Sequence, residues 1–276
     1  MRLGVDFSQW GGELRADVVE CWKGRGVSHA VVQYSELMDQ HIRALQAAGG
    51  IDIEAYVYLY WGLSPWGQTP LDRTQAALKR AGGRVSRLWL DAEDISNPFR
   101  ADQLAECVAF LEREGMATGI YTGRWFWEPH TGNNLDFRHL PLWHAEYLTT
   151  NILAEPERMK AVDFGAFQSY GGWARPAIWQ FQGTASLCGH SVDLNAVDDV
   201  VVTPPAPAPP PVAELANGPR KEGNFVVMYN DGVAVMRWGS TDGRYPGRIS
   251  KRFGDEYLWL RHDDRLLAYW SREEGD

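Results

Sequence analysis

Arg87-Leu88-Trp89-Leu90-Asp91-Ala92-Glu93 is a short apolar run closed by two carboxylates, and what flanks it decides the fold. Such a run, bounded by polar residues, reads as a buried strand. Downstream, residues 102–113 carry Leu104, Val108 and Leu111 at helical spacing, and 118–121 read as the next strand. Upstream, residues 3–7, 30–33 and 54–60 are strand candidates, with Ile42, Leu45 and Ala48 marking a helix after the second. Repeated strand–helix units imply a parallel sheet with right-handed crossovers, and five in one domain favour a closed α/β barrel of TIM-like type. After Tyr121 the helical signal fades while 142–145, 166–170 and 177–181 still read as strands, so the barrel is expected to close through loops or very short helices.

Composition narrows the function classes. The chain has 276 residues, 45% of them hydrophobic, enough to bury a large core. A net charge of -9 without any Lys/Arg run argues against nucleic acid as partner. No stretch approaches the roughly 18 continuous apolar residues of a membrane span, so membrane insertion is not expected. Thirteen Trp and eleven Tyr supply many faces on which sugar rings stack, although most rings in any protein are core. Cys21, Cys107 and Cys188 are odd in number and lack metal-type spacing; they read as unpaired thiols of a protein made in a reducing compartment, with one disulfide left open. Met1-Arg2 runs straight into the first strand, so synthesis in the cytoplasm without a leader is expected.

The expected domains are a catalytic barrel over 1–202, a linker over 203–216, and a small all-β module over 217–276. Pro204, Pro205, Pro207, Pro209, Pro210 and Pro211 force an extended, stiff spacer. Beyond it, 225–229 and 233–238 flank Asn230-Asp231-Gly232, and 257–260 and 266–270 flank His262-Asp263-Asp264, two hairpin signals. Trp238, Trp259 and Trp270 either form a binding face or fill the module's core.

In a strand, residues two apart share a face, so Asp91 and Glu93 point the same way. Adjacent carboxylates repel, which raises at least one pKa and leaves an acid beside an ionised partner, the pairing used in glycoside hydrolysis. Asp6 and Asp193 are expected at the C-terminal ends of other strands, where barrels keep their chemistry.

The ordered set Gly4-Val5-Asp6-Phe7-Ser8, Leu90-Asp91-Ala92-Glu93, Ile120-Tyr121-Thr122, Leu142-Trp143-His144-Ala145-Glu146-Tyr147, Trp179-Gln180 and Val192-Asp193-Leu194-Asn195 resembles the family 25 glycoside hydrolases, muramidase-type lysozymes common among phage endolysins. The resemblance implies five strand–helix units plus three further strands, and cleavage of the β-1,4 bond between N-acetylmuramic acid and N-acetylglucosamine in bacterial peptidoglycan. It implies Glu93 as general acid, Asp91 as holder of the substrate N-acetyl group or as base, and Asp6 and Asp193 at the floor. Tyr34, Tyr58, Tyr121, Trp143, Tyr147, Trp179 and Gln180 are the substrate-binding candidates. Tyr56, Tyr58 and Tyr60 alternate, so they share one strand face.

No cofactor is implied, and no His/Asp/Glu cluster has zinc or calcium spacing. Two departures from the family pattern lie at the cleft rim: Gln9 directly follows Ser8, with Gly11-Gly12 where a Gln is usual, and Glu36 is followed by Leu37 rather than Gly. The alternatives are a hydrolase of chitin-like glycans and a catalytically silent glycan-binding or virion protein. For an endolysin, release by host lysis, a holin-type pore or delivery on a particle would bring the enzyme to the wall, and the C-terminal module would bind wall or particle.

Overall fold

The structure is a computed structural model. It describes residues 1–148, 159 and 161–199, and strand backbones at 218–222, 225–230, 233–239, 248–252, 257–262 and 265–271. The chain divides into two compact units, Met1–Pro209 and Pro210–Asp276.

The first unit is a closed eight-stranded barrel, with neighbours paired in sequence order. Strands β1 (Arg2–Phe7), β2 (Val27–Gln33), β3 (Asp52–Tyr58), β4 (Leu88–Asp91) and β5 (Thr118–Thr122) are each followed by a helix: α1 (Ala16–Gly24), α2 (Met38–Ala48), α3 (Pro70–Ala81), α4 (Ala101–Arg113) and α5 (Arg124–Thr131). Strands β6 (Leu142–Ala145), β7 (Ile178–Leu187) and β8 (His190–Val197) complete the ring. Pairing is parallel from β1 to β7 and antiparallel on both sides of β8.

Local chemistry sets the elements. Helix α3 opens on a Thr69–Asp72 capping box with Pro70 in its first turn, and ends at Gly82 in the left-handed conformation that glycine adopts without strain. Alternation along the strands divides the apolar residues into two layers. Leu88, Leu90, Leu142 and Trp179 belong to the large cluster between sheet and helices. Val31, Trp89, Trp143, Ile178 and Val197 form a second cluster, against which Tyr56 and Tyr121 pack, that fills the barrel. Gly119 makes room for it: a Cβ there would stand 2.3 Å from the Trp89 ring.

Two expectations need correction. Residues 166–170 are not a strand: Phe164–Ala166 is a 3-10 turn, and Tyr170 makes only an isolated bridge to Trp173. The closing strand is β8, which runs against its neighbours, so its early residues lie at the rim where β1 to β7 end. The cysteines are not all thiols either. Cys21 on α1 and Cys188 in the β7–β8 turn form a disulfide across 167 residues of sequence, and Cys107 is free and buried. The fold brings the pair together by packing α1 under that turn, where the Trp22 indole N–H donates to the Leu187 carbonyl.

In the second unit, Gly218–Glu222, Phe225–Asn230 and Val233–Gly239 form one antiparallel sheet, and Arg248–Arg252, Tyr257–His262 and Arg265–Ser271 another. The side chains of Trp238, Trp259 and Trp270, and the proline segment, lie outside the described residues. Among the described residues no helix is long and apolar enough to cross a membrane.

Candidate active site

The barrel mouth at the ends of β1 to β7 gathers the acidic side chains. Asp6 is β1's last inward residue before Phe7 and stands opposite Asp193 in the antiparallel β1–β8 register. Their carboxylates share a donor: Gln180 Nε2 lies 2.8 Å from Asp6 Oδ2 and 3.3 Å from Asp193 Oδ2. Asn195 Nδ2 also donates to Asp6 at 2.7 Å. A bulge in β7 between Gln182 and Ala185 turns the Thr184 N–H onto Asp193 at 2.5 Å. Tyr121 donates to Gln180 at 2.9 Å, and the Trp143 indole to Asn195 at 2.8 Å, so the floor is one connected network.

Asp91 closes β4, and its carboxylate accepts the Glu93 backbone N–H at 3.2 Å. Glu93 stands just past the strand end, its Oε1 accepting the Gly123 N–H at 2.5 Å. The buried Asp94 ties this loop down by accepting the backbone N–H groups of Trp61 and Ser96.

Burial raises all four carboxyls. Glu93 is pushed up to about 7 by burial, against the opposing effect of the Gly123 hydrogen bond. Asp91 is raised well above the ordinary range, first by burial and then by repulsion from Glu93. The repulsion expected from the sequence thus acts on Asp91, whereas desolvation is what keeps Glu93 protonated. Asp6 is raised by burial and by Asp193, with the Asn195 and Gln180 bonds opposing; Asp193 is raised by burial.

The residues expected to bind substrate separate into five places. Tyr147 lines a cleft of about 610 Å³ together with Glu93, Trp125, Glu128, His144 and Glu146. Tyr34 and Tyr58 line a second pocket of about 720 Å³. Tyr121 and Gln180 lie at the floor. Trp143 and Trp179 are corrected. Trp143 is buried inside the barrel against Tyr121, Tyr56 and Trp89, beneath the carboxyls rather than in the cleft. Trp179, one residue out of phase with Gln180, faces the outer layer and packs on His144 and Phe167, its indole donating to the Glu146 carbonyl. Tyr56 and Tyr58 do share a face, but Tyr56 is packed within the barrel, and Tyr60 lies beyond the strand with its ring 4.8 Å from that of Tyr58.

Glu146 and Trp125 were missed as cleft residues. Glu146 pairs with His144 at 3.0 Å, and the signal was its alternation with His144 at the end of β6. Among the described residues no group of three His, Cys, Asp or Glu is placed to hold a metal ion.

Residues 1–181 match the family model described as "Lysozyme-like protein 1". Lysozyme-like protein 5 of Caenorhabditis elegans is 31% identical over 71% of this chain and 91% of that protein. Probable GH family 25 lysozyme 2 of Dictyostelium discoideum is 28% identical over 70% of this chain and 89% of that protein. The match to Counting factor 50 of the same organism spans 62% of that protein's length. The crystal structure of the CTP1L endolysin superposes with a TM-score of 0.54 over 72% of this chain and 67% of that one, at 17% identity, a likeness of fold. The chain therefore belongs to the lysozyme-like protein 1 family and is a lysozyme-type glycoside hydrolase of family 25.

Proposed function

We propose that the chain is a muramidase that hydrolyses the β-1,4 bond between N-acetylmuramic acid and N-acetylglucosamine in peptidoglycan. The observation that carries this reading is Glu93, a carboxyl held near 7 at the edge of an open cleft, at a barrel mouth that also holds the buried Asp6 and Asp91 and the half-buried Asp193. A poor alkoxide leaving group needs a proton at bond cleavage, and an acid poised near the working pH delivers it. Asp91, fixed by the Glu93 backbone, is suited to hold the substrate N-acetyl group against the anomeric carbon. Asp6 and Asp193, cross-linked by Gln180, are both raised by burial and Asp6 also by Asp193, so the pair keeps one proton and presents a single negative charge to the developing oxocarbenium ion.

The substrate lies outside the cytoplasm. We place release by lysis, a holin-type pore or a particle within the same proposal, together with the phage-lysin origin. The Cys21–Cys188 disulfide suits a protein that works in oxidising surroundings. The second unit is proposed to hold the barrel on the wall or on a particle, which raises the local substrate concentration.

The test is digestion of purified peptidoglycan with identification of the new reducing end by mass spectrometry. Muramic acid at that end is the expected result. Glucosamine ends, or cleavage of chitin oligomers alone, would replace this reading with the chitinase-type one, and no product from either would favour a silent glycan-binding barrel.

A further inference from the structure

The second pocket, on the β1–β3 side of the mouth, contains a cation that the chemistry above does not use. Arg73, in the first turn of α3, is only 6% exposed. Its guanidinium carbon lies 5.5 Å from the Tyr34 ring centroid, 5.1 Å from that of Tyr60 and 5.3 Å from that of Trp66. Its Nε donates to the Tyr58 carbonyl at 2.9 Å. Among the described residues no carboxylate forms an ion pair with it, although Arg80, two helical turns further along α3, has Asp39.

A guanidinium stripped of most of its water and held between ring faces is costly unless it meets an anion, and its planar fork matches a carboxylate. Arg73 lines a pocket of about 720 Å³ whose other walls include the exposed Trp66 and Gln68. Aromatic faces beside an amide suit an N-acetylated sugar ring. Tyr58 connects the pocket to the acid: its carbonyl is held by Arg73 and its hydroxyl is 3.5 Å from the Glu93 carbonyl. A glycan cut at Glu93 that continues over Tyr58 therefore runs into this pocket.

We infer that the Arg73 pocket is a glycan subsite that reads a carboxylate carried by a muramic residue, either on its lactyl group or on the peptide stem attached there. This rests on the muramidase reading, and the test separates the two. The full-length chain carrying Glu93→Gln, in which ligands persist, is titrated by tryptophan fluorescence with three oligomers of equal glycan length. These are a muramic-acid-containing tetrasaccharide with free lactyl carboxylates, the same glycan carrying stem peptides, and chitotetraose. Charge-assisted bonds of this kind predict a Kd about tenfold lower for a carboxylate-bearing glycan than for chitotetraose. The tighter of the first two identifies where the carboxylate sits. Adding Arg73→Gln should remove the preference, bringing the Kd for the carboxylate-bearing glycans to that for chitotetraose in the same variant. Equal Kd values for all three ligands, no binding of any, or a preference that survives Arg73→Gln overturns the inference. Because the Glu93→Gln chain with Arg73 intact is tested with all three ligands, loss of the Arg73 variant to misfolding does not protect the inference. Failure of the muramidase reading is seen separately, as absence of muramic reducing ends in the peptidoglycan digest.

Discussion

Glu93→Gln should separate what burial does for catalysis from what it costs the fold. A carboxyl at the ordinary 4.5 is protonated in about one molecule in 300 at pH 7, whereas one at about 7 is protonated in about half. Burial thus multiplies the competent fraction roughly 150-fold. The amide keeps an oxygen for the Gly123 N–H but cannot donate a proton to the leaving oxygen, so turnover should fall about 10²–10⁴-fold. The same displacement has a stability consequence. Below about pH 4 the folded and unfolded chains both carry the proton and nothing is lost. Between 4.5 and about 7 the unfolded chain ionises while the fold retains its proton, so the wild type loses stability as pH rises, and above about 7 the loss is complete. The amide never titrates. Glu93→Gln should therefore melt like the wild type at pH 4 and above it at pH 8, by at most about 3 kcal/mol, or roughly 6–12 °C for a barrel of this size. Circular-dichroism melts at both pH values and reducing-sugar release at pH 6 are the assays. A folded variant with near-native turnover removes Glu93 from the mechanism; melting curves that differ equally at pH 4 and pH 8 refute desolvation as the source of its raised pKa.

Reduction of Cys21–Cys188 should destabilise the barrel by about 2–4 kcal/mol, read as a lower melting temperature with reductant; a thiol titration of the denatured chain should count one thiol before reduction and three after. Gly119→Ala puts a methyl into the Trp89 ring and should cost about 1–3 kcal/mol or more, and an unchanged melt would show that the interior is looser than the 2.3 Å approach implies. Cutting after Val202 should leave a folded barrel that cleaves soluble glycan fragments as well as the whole chain but clears intact walls less well. Wall clearance equal to that of the whole chain would exclude targeting by the second unit in that assay.

Much of this protein was legible in the chain itself. Strand and helix periods along residues 3–121 are local, as are the turn signals at Asn230-Asp231-Gly232 and the carboxylate pair at Asp91 and Glu93, because a strand's alternation and a helix's spacing are set by the backbone of the segment that carries them. The ordered motifs likewise single out Asp6 and Asp193, which the fold sets opposite one another across β1 and β8. What tertiary structure decided is everything that depends on which distant residues become neighbours. Trp143 and Trp179 differ from their expected role because only closure of the ring fixes which face is inside and how high along the barrel a ring stands. Cys21 and Cys188 are 167 residues apart and meet only when α1 packs under the last hairpin. The origin of the Glu93 acidity is of the same kind. Sequence proximity suggested repulsion from Asp91, but desolvation is a property of the closed mouth, and Arg73 enters its cage of Tyr34, Tyr60 and Trp66 only once β2 and the β3–α3 loop lie side by side. Local order is encoded in spacing, whereas burial and long-range contact exist only in the folded chain.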